Sequence, residues 1–408
     1  MSQIASFGAK ATAPGVSVHS GSTLRVPINK PSVKALYIHV PFCAKKCAYC
    51  DFLSWPTSAS DPCLDSYVEA TVRELHALHD RGLLEGCRTA YIGGGTPTLL
   101  GGSRLGMLAG CVRGVAPSLT EFTCEANPDS LTDDVLTAMV ASGVSRISVG
   151  VQSLNDAELM ELGRVHTAEQ AKERVAAAVS AGLDVSVDLM CAIPRQSDVS
   201  WAASLRGVID LGVCHISVYP LTIEEGTPLY RRFEHDTCEW NDEDVQARRM
   251  EMAEQVLTAC GFVRYEVASY ARSGKRCEHN IAYWTGVPYL GVGKGAASML
   301  GPAEYDLAQQ VLEWLPSRRP GASRMRFTAY DGDVEFLTSR EAWAEDLMLG
   351  MRMTDGIETR LLDGEPSVRA ELICRGLVEE RGNRLVPTHE GWLLGNELYG
   401  ALWALAEP

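Results

Sequence analysis

Short apolar runs alternate with helix-patterned segments from Ala35 onward, and the alternation repeats. The runs that predict strands are Ala35–Val40, Thr89–Ile92, Glu121–Glu125, Arg146–Val151, Asp184–Met190 and His215–Tyr219. The segments between them that predict helices are Asp65–His79, Ser103–Val115, Asp133–Ser142, Thr167–Ala181 and Asp198–Leu211. Boundary residues agree. Thr132-Asp133-Asp134 opens one helix and Gly143 closes it. Thr167 with Gln170 reads as a capping box, and Gly182 ends that helix. A strand-plus-helix period repeated about six times implies parallel strands joined by right-handed crossovers. The expected fold class is therefore α/β, a closed or partly open barrel with its site at the carboxyl ends of the strands.

The pattern changes further on. Residues Pro316–Ser323, rich in Pro, Ser, Arg and Gly, mark a domain boundary. Beyond it Glu341–Met353, Glu358–Leu362 and Ser367–Gly376 predict helices, and Val378–Glu380 with Arg384–Pro387 predicts a hairpin around Gly382-Asn383. This order describes a small, mostly helical, winged-helix-like domain over 316–408. Met348, Met351 and Met353 fall at mixed helical spacing and read as core. At the other end, residues 1–30 are rich in Ser, Gly, Ala, Thr and Pro without periodicity, which predicts a disordered extension. That extension is acid-poor and Ser-rich, as organelle transit peptides are, but it lacks their arginine-rich amphipathic helix. A cytoplasmic location is the first expectation and an organelle the minor one.

Composition narrows the class. With 408 residues, 46% hydrophobic and 22% charged, the chain suits a barrel plus a smaller domain. No run approaches the roughly 18 apolar residues of a membrane-spanning helix. Thirteen cysteines scattered without a secreted-domain framework suit a reducing compartment. The net charge of −15 argues against nonspecific nucleic-acid binding. Residues 1–50 hold six Lys/Arg and no Asp/Glu. Lys34, Lys45 and Lys46 among them form either a solvated face or an attraction for an acidic electron donor.

The densest chemistry follows the first strand. Cys43, Cys47 and Cys50 form a C-x3-C-x2-C run, three thiolates within eight residues. Such a trio asks for a soft metal centre. A structural zinc site with His39, or plain reduced thiols, is the plainer reading. Zinc sites, however, usually come as paired elements separated by a longer loop. Other candidates end the next strands. Gly93-Gly94-Gly95-Thr96-Pro97 follows the second, where glycines let backbone approach a ligand and present amides. The alternative is a tight turn. Glu125 ends the third strand in CEANP, Gln152 the fourth in SVGVQS, and Asp188 lies within the fifth. A mid-strand acid is costly unless partnered. Arg164, in LGRVH, suits bidentate capture of a carboxylate. Each alone is as well explained by a structural ion pair; together, at strand ends, they favour a ligand site.

The cysteine run and its flanks resemble the radical S-adenosylmethionine (radical SAM) superfamily. The motifs YIHVPFC, IGGGTPT, EANP, SVGVQS, LGRVHT and DLM, in this order, look like its HemN/HemW family, from about Leu36 to the C-terminus. The resemblance implies a partial (β/α)6 radical SAM barrel with a family-specific extension over 31–300, and a HemN-type C-terminal domain over 316–408. It implies a 4Fe-4S cluster on Cys43, Cys47 and Cys50, whose open iron chelates S-adenosylmethionine and whose reduced form generates a 5'-deoxyadenosyl radical. Carried over by position, Tyr37, Tyr49, Gly94, Gly95, Thr96, Glu125, Gln152, Arg164 and Asp188 would line the S-adenosylmethionine pocket. Thr96 stands where an acid often occurs in the superfamily, and Tyr49 where Phe is common.

Two features separate the branches of the family. The coproporphyrinogen III dehydrogenases carry another cysteine in a C-x-C pair, whereas this chain reads Cys50-Asp51-Phe52, the CDF of the heme-chaperone branch. Cys277–Trp284 contains HNxxYW, similar to that branch's signature. His279 is a candidate heme ligand, and Tyr283 and Trp284 candidate flanks for a flat macrocycle. The plainer reading packs all three under a loop. Tyr289–Ala296 resembles the family's glycine-rich strand and matches no dinucleotide fingerprint. The first expectation is a heme chaperone that hands heme cargo to an acceptor protein. Oxygen-independent coproporphyrinogen III dehydrogenation is the alternative, and a heme-degrading radical enzyme a third. The implied partners are heme, a reductant protein such as a flavodoxin or ferredoxin, a heme-acceptor protein and a second copy of the chain as a homodimer.

Overall fold

The computed structural model describes residues 31–234 and 242–407. The extension expected over 1–30 lies outside the described residues. Residues from Pro31 onward form one compact unit.

Six parallel strands make the centre: β1 (Ala35–Val40), β2 (Thr89–Gly94), β3 (Glu121–Ala126), β4 (Arg146–Gln152), β5 (Asp184–Cys191) and β6 (His215–Pro220). They lie side by side in chain order, each paired in parallel with the next. Nearly every residue of β1 and β4 is buried. That explains why these strands read as unbroken apolar runs, since sheets covered on both faces lose the polar alternation. Five amphipathic helices follow the predicted spans to within two residues: α1 (Cys63–Asp80), α2 (Gly101–Val115), α3 (Asp133–Ala141), α4 (Ala168–Ser180) and α5 (Asp198–Asp210). Thr167 caps α4 by accepting from the Gln170 amide. At α5, Ser197 and Ser200 form a reciprocal box that the sequence pattern did not flag.

β1 and β6 do not pair with each other, so the parallel run is an open, partial barrel. On the β1 side the sheet continues through Tyr289–Val292, which is parallel, then the antiparallel Ala297–Leu300, Arg324–Thr328 and Val334–Leu337. On the β6 side it gains Ser269–Ala271 and Val263–Arg264. The boundary expected at 316–323 thus falls before the last two strands of the main sheet. Beyond them a second hydrophobic cluster gathers Ala344, Leu347, Met351, Leu372, Leu385, Leu398 and Leu402. It packs helices Ser339–Gly350, Pro366–Cys374 and Gly395–Trp403 around a three-stranded sheet. The hairpin Val378–Arg381 with Arg384–Pro387 forms as predicted, turning at Gly382 with φ +64°. Glu358–Leu362, expected as a helix, is a strand residue followed by a single 3-10 turn. Pairing of Ile357 with Leu385 takes the segment's start into the sheet, and too few residues remain for a helix.

Among the described residues no helix is long and apolar enough to cross a membrane.

Candidate functional site

The loop after β1 carries Cys43, Cys47 and Cys50 to the carboxyl end of the sheet. Cys43 is buried, the other two half-buried, and all three are free. A hydrogen bond from the Thr96 hydroxyl reaches Cys43 Sγ at 3.5 Å, and Arg164 Nη1 donates to Cys47 Sγ at 3.3 Å. Burial pushes the Cys43 and Cys50 thiols up. The reading of a zinc site with His39 does not fit. The His39 ring bonds the Tyr37 hydroxyl through Nδ1 (3.0 Å) and the Leu53 carbonyl through Nε2 (2.9 Å), leaving no free nitrogen. Among the described residues no group of His, Cys, Asp or Glu is arranged to hold a single metal ion.

The thiols line a cavity of about 140 Å3 together with Tyr49, Gly94, Gly95, Thr96, Glu125, Gln152, Arg164 and Asp188. Eight of the nine S-adenosylmethionine candidates therefore converge on the cysteines. The ninth, Tyr37, lines a neighbouring cavity instead.

The glycine turn does something other than present amides. The Gly94 N–H donates to Glu125 Oε2, the Gly95 N–H to the Val40 carbonyl, and the Thr96 N–H to the Phe42 carbonyl. The turn is stitched to the cysteine loop and to β3, and its amides are spent. Gln152 sits at a register shift in β4 with φ +65°. A bulge there re-aims the strand end toward the cavity, a strained backbone of the kind found at binding sites.

The electrostatics of the cavity follow from burial. Glu125 accepts from Tyr91 Oη and from the Gly94 amide, both at 2.9 Å. Burial, with Asp188 nearby, pushes its carboxyl up to about 7. Burial lifts Asp188 to about 6, although the Ser148 hydroxyl contacts both its oxygens, at 3.1 and 3.2 Å. Arg164 Nη2 is held by Asn127 Oδ1 and the Gly150 carbonyl, both at 2.8 Å, while its buried Nε has no partner. Asn127 also donates to Thr96 (2.9 Å), so one side chain ties the glycine turn to the arginine. Asn127 and Ser148 were missed from sequence. They lie inside the EANP and SVGVQS motifs, and their adjacency to Glu125 and Gln152 was the available signal.

This set fits a 4Fe-4S cluster with S-adenosylmethionine. Three uncommitted thiols with N–H and O–H donors suit the cluster. The orphaned Arg164 Nε suits a carboxylate, and the paired acids suit an ammonium or sulfonium. When bound, the cluster supplies one-electron reduction to the sulfonium. The chain's own residues hold, orient and charge-match it. Cationic ligands favour ionised carboxylates, so affinity is expected to rise with pH as Glu125 and Asp188 ionise. Titration of S-adenosylmethionine into anaerobically reconstituted protein should show about tenfold tighter binding at pH 8 than at pH 6. A flat profile would mean that neither carboxylate meets the ligand.

A second cavity, of about 650 Å3, adjoins the first and shares Phe52, Gly94 and Glu125 with it. Its walls are aromatic: Tyr37, Tyr91, Tyr219, Tyr283, Trp284 and Tyr289. Met348, Leu349 and Glu345 from the helix Ser339–Gly350 close one side. His279, Tyr283 and Trp284 belong to the short helix Glu278–Trp284, whose first amides donate to the buried Glu121 carboxylate. The His279 side chain is wholly buried. Its Nδ1 bonds Thr89 Oγ1 (2.9 Å), its Nε2 bonds Tyr283 Oη (2.8 Å), and its ring stacks on Tyr91. Burial pushes its pKa down to about 3. Both His279 nitrogens are thus hydrogen bonded to hydroxyl groups, one of them on the cavity wall. The buried Trp284 indole N–H, by contrast, has no partner.

Fold and cysteine loop together define a radical SAM protein, and the model of the Radical SAM superfamily matches residues 37–206. The chain is 34% identical over 376 residues to heme chaperone HemW of Mycobacterium tuberculosis, covering 90% of this chain and 94% of that one. It is 32% identical over 382 residues to heme chaperone HemW of Bacillus subtilis, covering 90% and 99%. It belongs to the HemW family. Among solved structures, coproporphyrinogen III oxidase (HemN) from Escherichia coli superposes with a TM-score of 0.70 over 92% of this chain and 91% of that one. At 21% identity that likeness shows the fold alone.

Proposed function

We propose that this protein binds heme in the aromatic cavity and delivers it to acceptor hemoproteins, with a 4Fe-4S cluster and S-adenosylmethionine in the adjoining cysteine cavity. The observation that carries the reading is a cavity of about 650 Å3, walled by seven Phe, Tyr and Trp side chains, directly beside the cysteine site. That size is ordinary for a small-molecule pocket, and flat rings suit a flat macrocycle. The names of the M. tuberculosis and B. subtilis relatives support the same reading. Phe52 stands where the dehydrogenase branch carries its additional cysteine, and it lines both cavities. Lys45 and Lys46 line the cluster cavity and suit docking of an acidic reductant such as a flavodoxin or ferredoxin. The free cysteines among the described residues suit a reducing, cytoplasmic setting.

The test is anaerobic reconstitution followed by separate additions of heme and coproporphyrinogen III with reductant and S-adenosylmethionine. Saturable heme binding, transfer to an apo-hemoprotein and chemically intact tetrapyrroles are expected. Carbon dioxide release and a vinyl-bearing porphyrinogen would establish the dehydrogenase instead. An opened tetrapyrrole would establish heme degradation.

A further inference from the structure

We propose that the cleft between the edge of the main sheet and the second hydrophobic cluster binds a small phosphate-class oxyanion, gripped by Arg352 and Arg264. The site is separate from the heme cavity, and neither reading depends on the other. A cavity of about 240 Å3 opens in this cleft. Its wall carries three arginines, Arg264, Arg352 and Arg381, against a single acid among the described residues, Glu254. That acid is already shared. It takes Arg264 Nε at 2.9 Å and stands 3.8 Å from His389 Nδ1. Arg381 is paired with Glu379, and His389 Nε2 with Glu251. Arg352 is paired with no acid among the described residues. Its guanidinium lies between two rings, 5.2 Å from the Trp284 centroid and 4.5 Å from that of Tyr399, and its buried Nε has no hydrogen-bond partner.

Rings hold a cation in place but do not accept its N–H groups, so Arg352 keeps a fork of donors for a ligand. That planar fork matches two oxygens of a phosphate. Arg264 lies over the Trp392 ring, 3.9 Å from its centroid, and spends only Nε on Glu254. Its terminal nitrogens supply a second fork. The Tyr399 hydroxyl, also on the wall, has no hydrogen-bond partner among the described residues and adds a neutral donor. The backbone under these groups is anchored. Trp392 Nε1 donates to the Val267 carbonyl at 2.9 Å, the Thr354 amide donates to the Tyr265 carbonyl at 3.1 Å, and Met353 bridges Glu266. Two guanidiniums suit a dianion better than a monocarboxylate. The cavity is smaller than the roughly 300–1,000 Å3 of pockets for drug-sized ligands. The occupant is therefore inorganic phosphate or a small phosphate ester. Arg264 belongs to the sheet edge and Arg352 follows the helix Ser339–Gly350, so a bound phosphate ties the two regions together.

The experiment titrates inorganic phosphate, glycerol 3-phosphate and acetate into the full-length, cluster-reconstituted protein at constant ionic strength. Calorimetry, tryptophan fluorescence and the melting temperature are followed without heme. Phosphate should bind saturably, change the emission through Trp392 and Trp284, and raise the melting temperature. Tighter binding of glycerol 3-phosphate would support the same site with an esterified phosphate as its ligand. Arg352→Met keeps the packing of the stem between the rings and should weaken phosphate binding at least about tenfold. Tyr399→Phe removes one hydroxyl and should weaken it about fivefold. Arg369→Met removes a surface arginine paired with Glu380 and should change nothing. No saturable phosphate binding in wild type overturns the proposal, as does acetate binding equal to phosphate. Full affinity in Arg352→Met does so too, as does a matching loss in Arg369→Met. If Arg352→Met fails to fold, Tyr399→Phe decides, and full affinity in that variant overturns the assignment.

Discussion

Cys47→Ala is expected to yield a folded chain that assembles no cluster. Cys47 is half-buried and lies in the loop after β1, outside the main hydrophobic cluster, so its removal leaves the fold intact. Its sulfur is nonetheless one of three, and no group of His, Cys, Asp or Glu among the described residues is arranged as a replacement metal site. Two thiolates cannot hold a cluster that ordinarily takes four ligands. Iron and acid-labile sulfide after anaerobic reconstitution should fall from about four of each per chain to near zero, with the melting temperature of the apoprotein unchanged. Cys43→Ala and Cys50→Ala should behave alike. Retained iron and sulfide in any of the three would show that the trio is not the ligand set. Arg164→Met separates holding from tuning. It keeps the sulfurs but removes the N–H bonded to Cys47, so cluster content should survive while S-adenosylmethionine affinity drops.

Gly95→Ala should be the most damaging single methyl group at the site. A Cβ there would stand 2.6 Å from the Phe42 carbonyl oxygen, 2.9 Å from the Phe42 nitrogen and 2.9 Å from the Val40 carbonyl oxygen. All three are backbone atoms of the segment that leads into Cys43, so no side chain can swing aside. The glycine turn and the cysteine loop would have to part, breaking the bonds from Gly95 to Val40 (2.8 Å) and from Thr96 to Phe42 (2.7 Å). Overpacking of this kind costs about 1–3 kcal/mol. A displacement of the pocket by about 1 Å costs affinity or rate on the order of 100-fold. The control is Gly110→Ala on α2, where a Cβ would meet nothing within 4 Å and helix propensity improves. Calorimetric titration of S-adenosylmethionine into both variants decides. Equal affinities would show that the turn and the loop can separate freely.

The barrel was legible because its signal is local. Strands covered on both faces read as apolar runs, and β1 to β6 fall within two residues of the predicted spans. The cysteine trio, Glu125, Gln152 and Asp188 could be placed at the working face for the same reason, since each lies at or near the carboxyl end of one such run. The short strands that lengthen the sheet, such as Val263–Arg264 and Ala297–Leu300, were not legible. Two to five residues carry no periodicity, and only the neighbouring strand makes them strands.

Within the site, the residue types and their spacing were enough to nominate a soft cluster with a polar ligand beside it. What each nominee does was decided by contacts between distant parts of the chain. Tyr37 and His39, two apart on one strand, share a face and bond each other, but that this face lines the larger cavity is decided by packing. The glycine amides, expected to face a ligand, are taken by Glu125, Val40 and Phe42. His279 looked like a heme ligand by sequence. Thr89, 190 positions away, and Tyr283 hydrogen bond its two nitrogens, partners that the sequence does not reveal. Met348, read as core, packs against the C-terminal cluster and also reaches the cavity wall, which spacing along one helix could not show. Sequence by itself determined the strand-and-helix order and the ligand chemistry, because apolar spacing and thiol count act over a few residues. Only the tertiary structure decided which polar atoms are free. Hydrogen-bond partners are assigned by register and packing across the whole sheet, and a donor already bonded inside the fold is no longer available to a ligand.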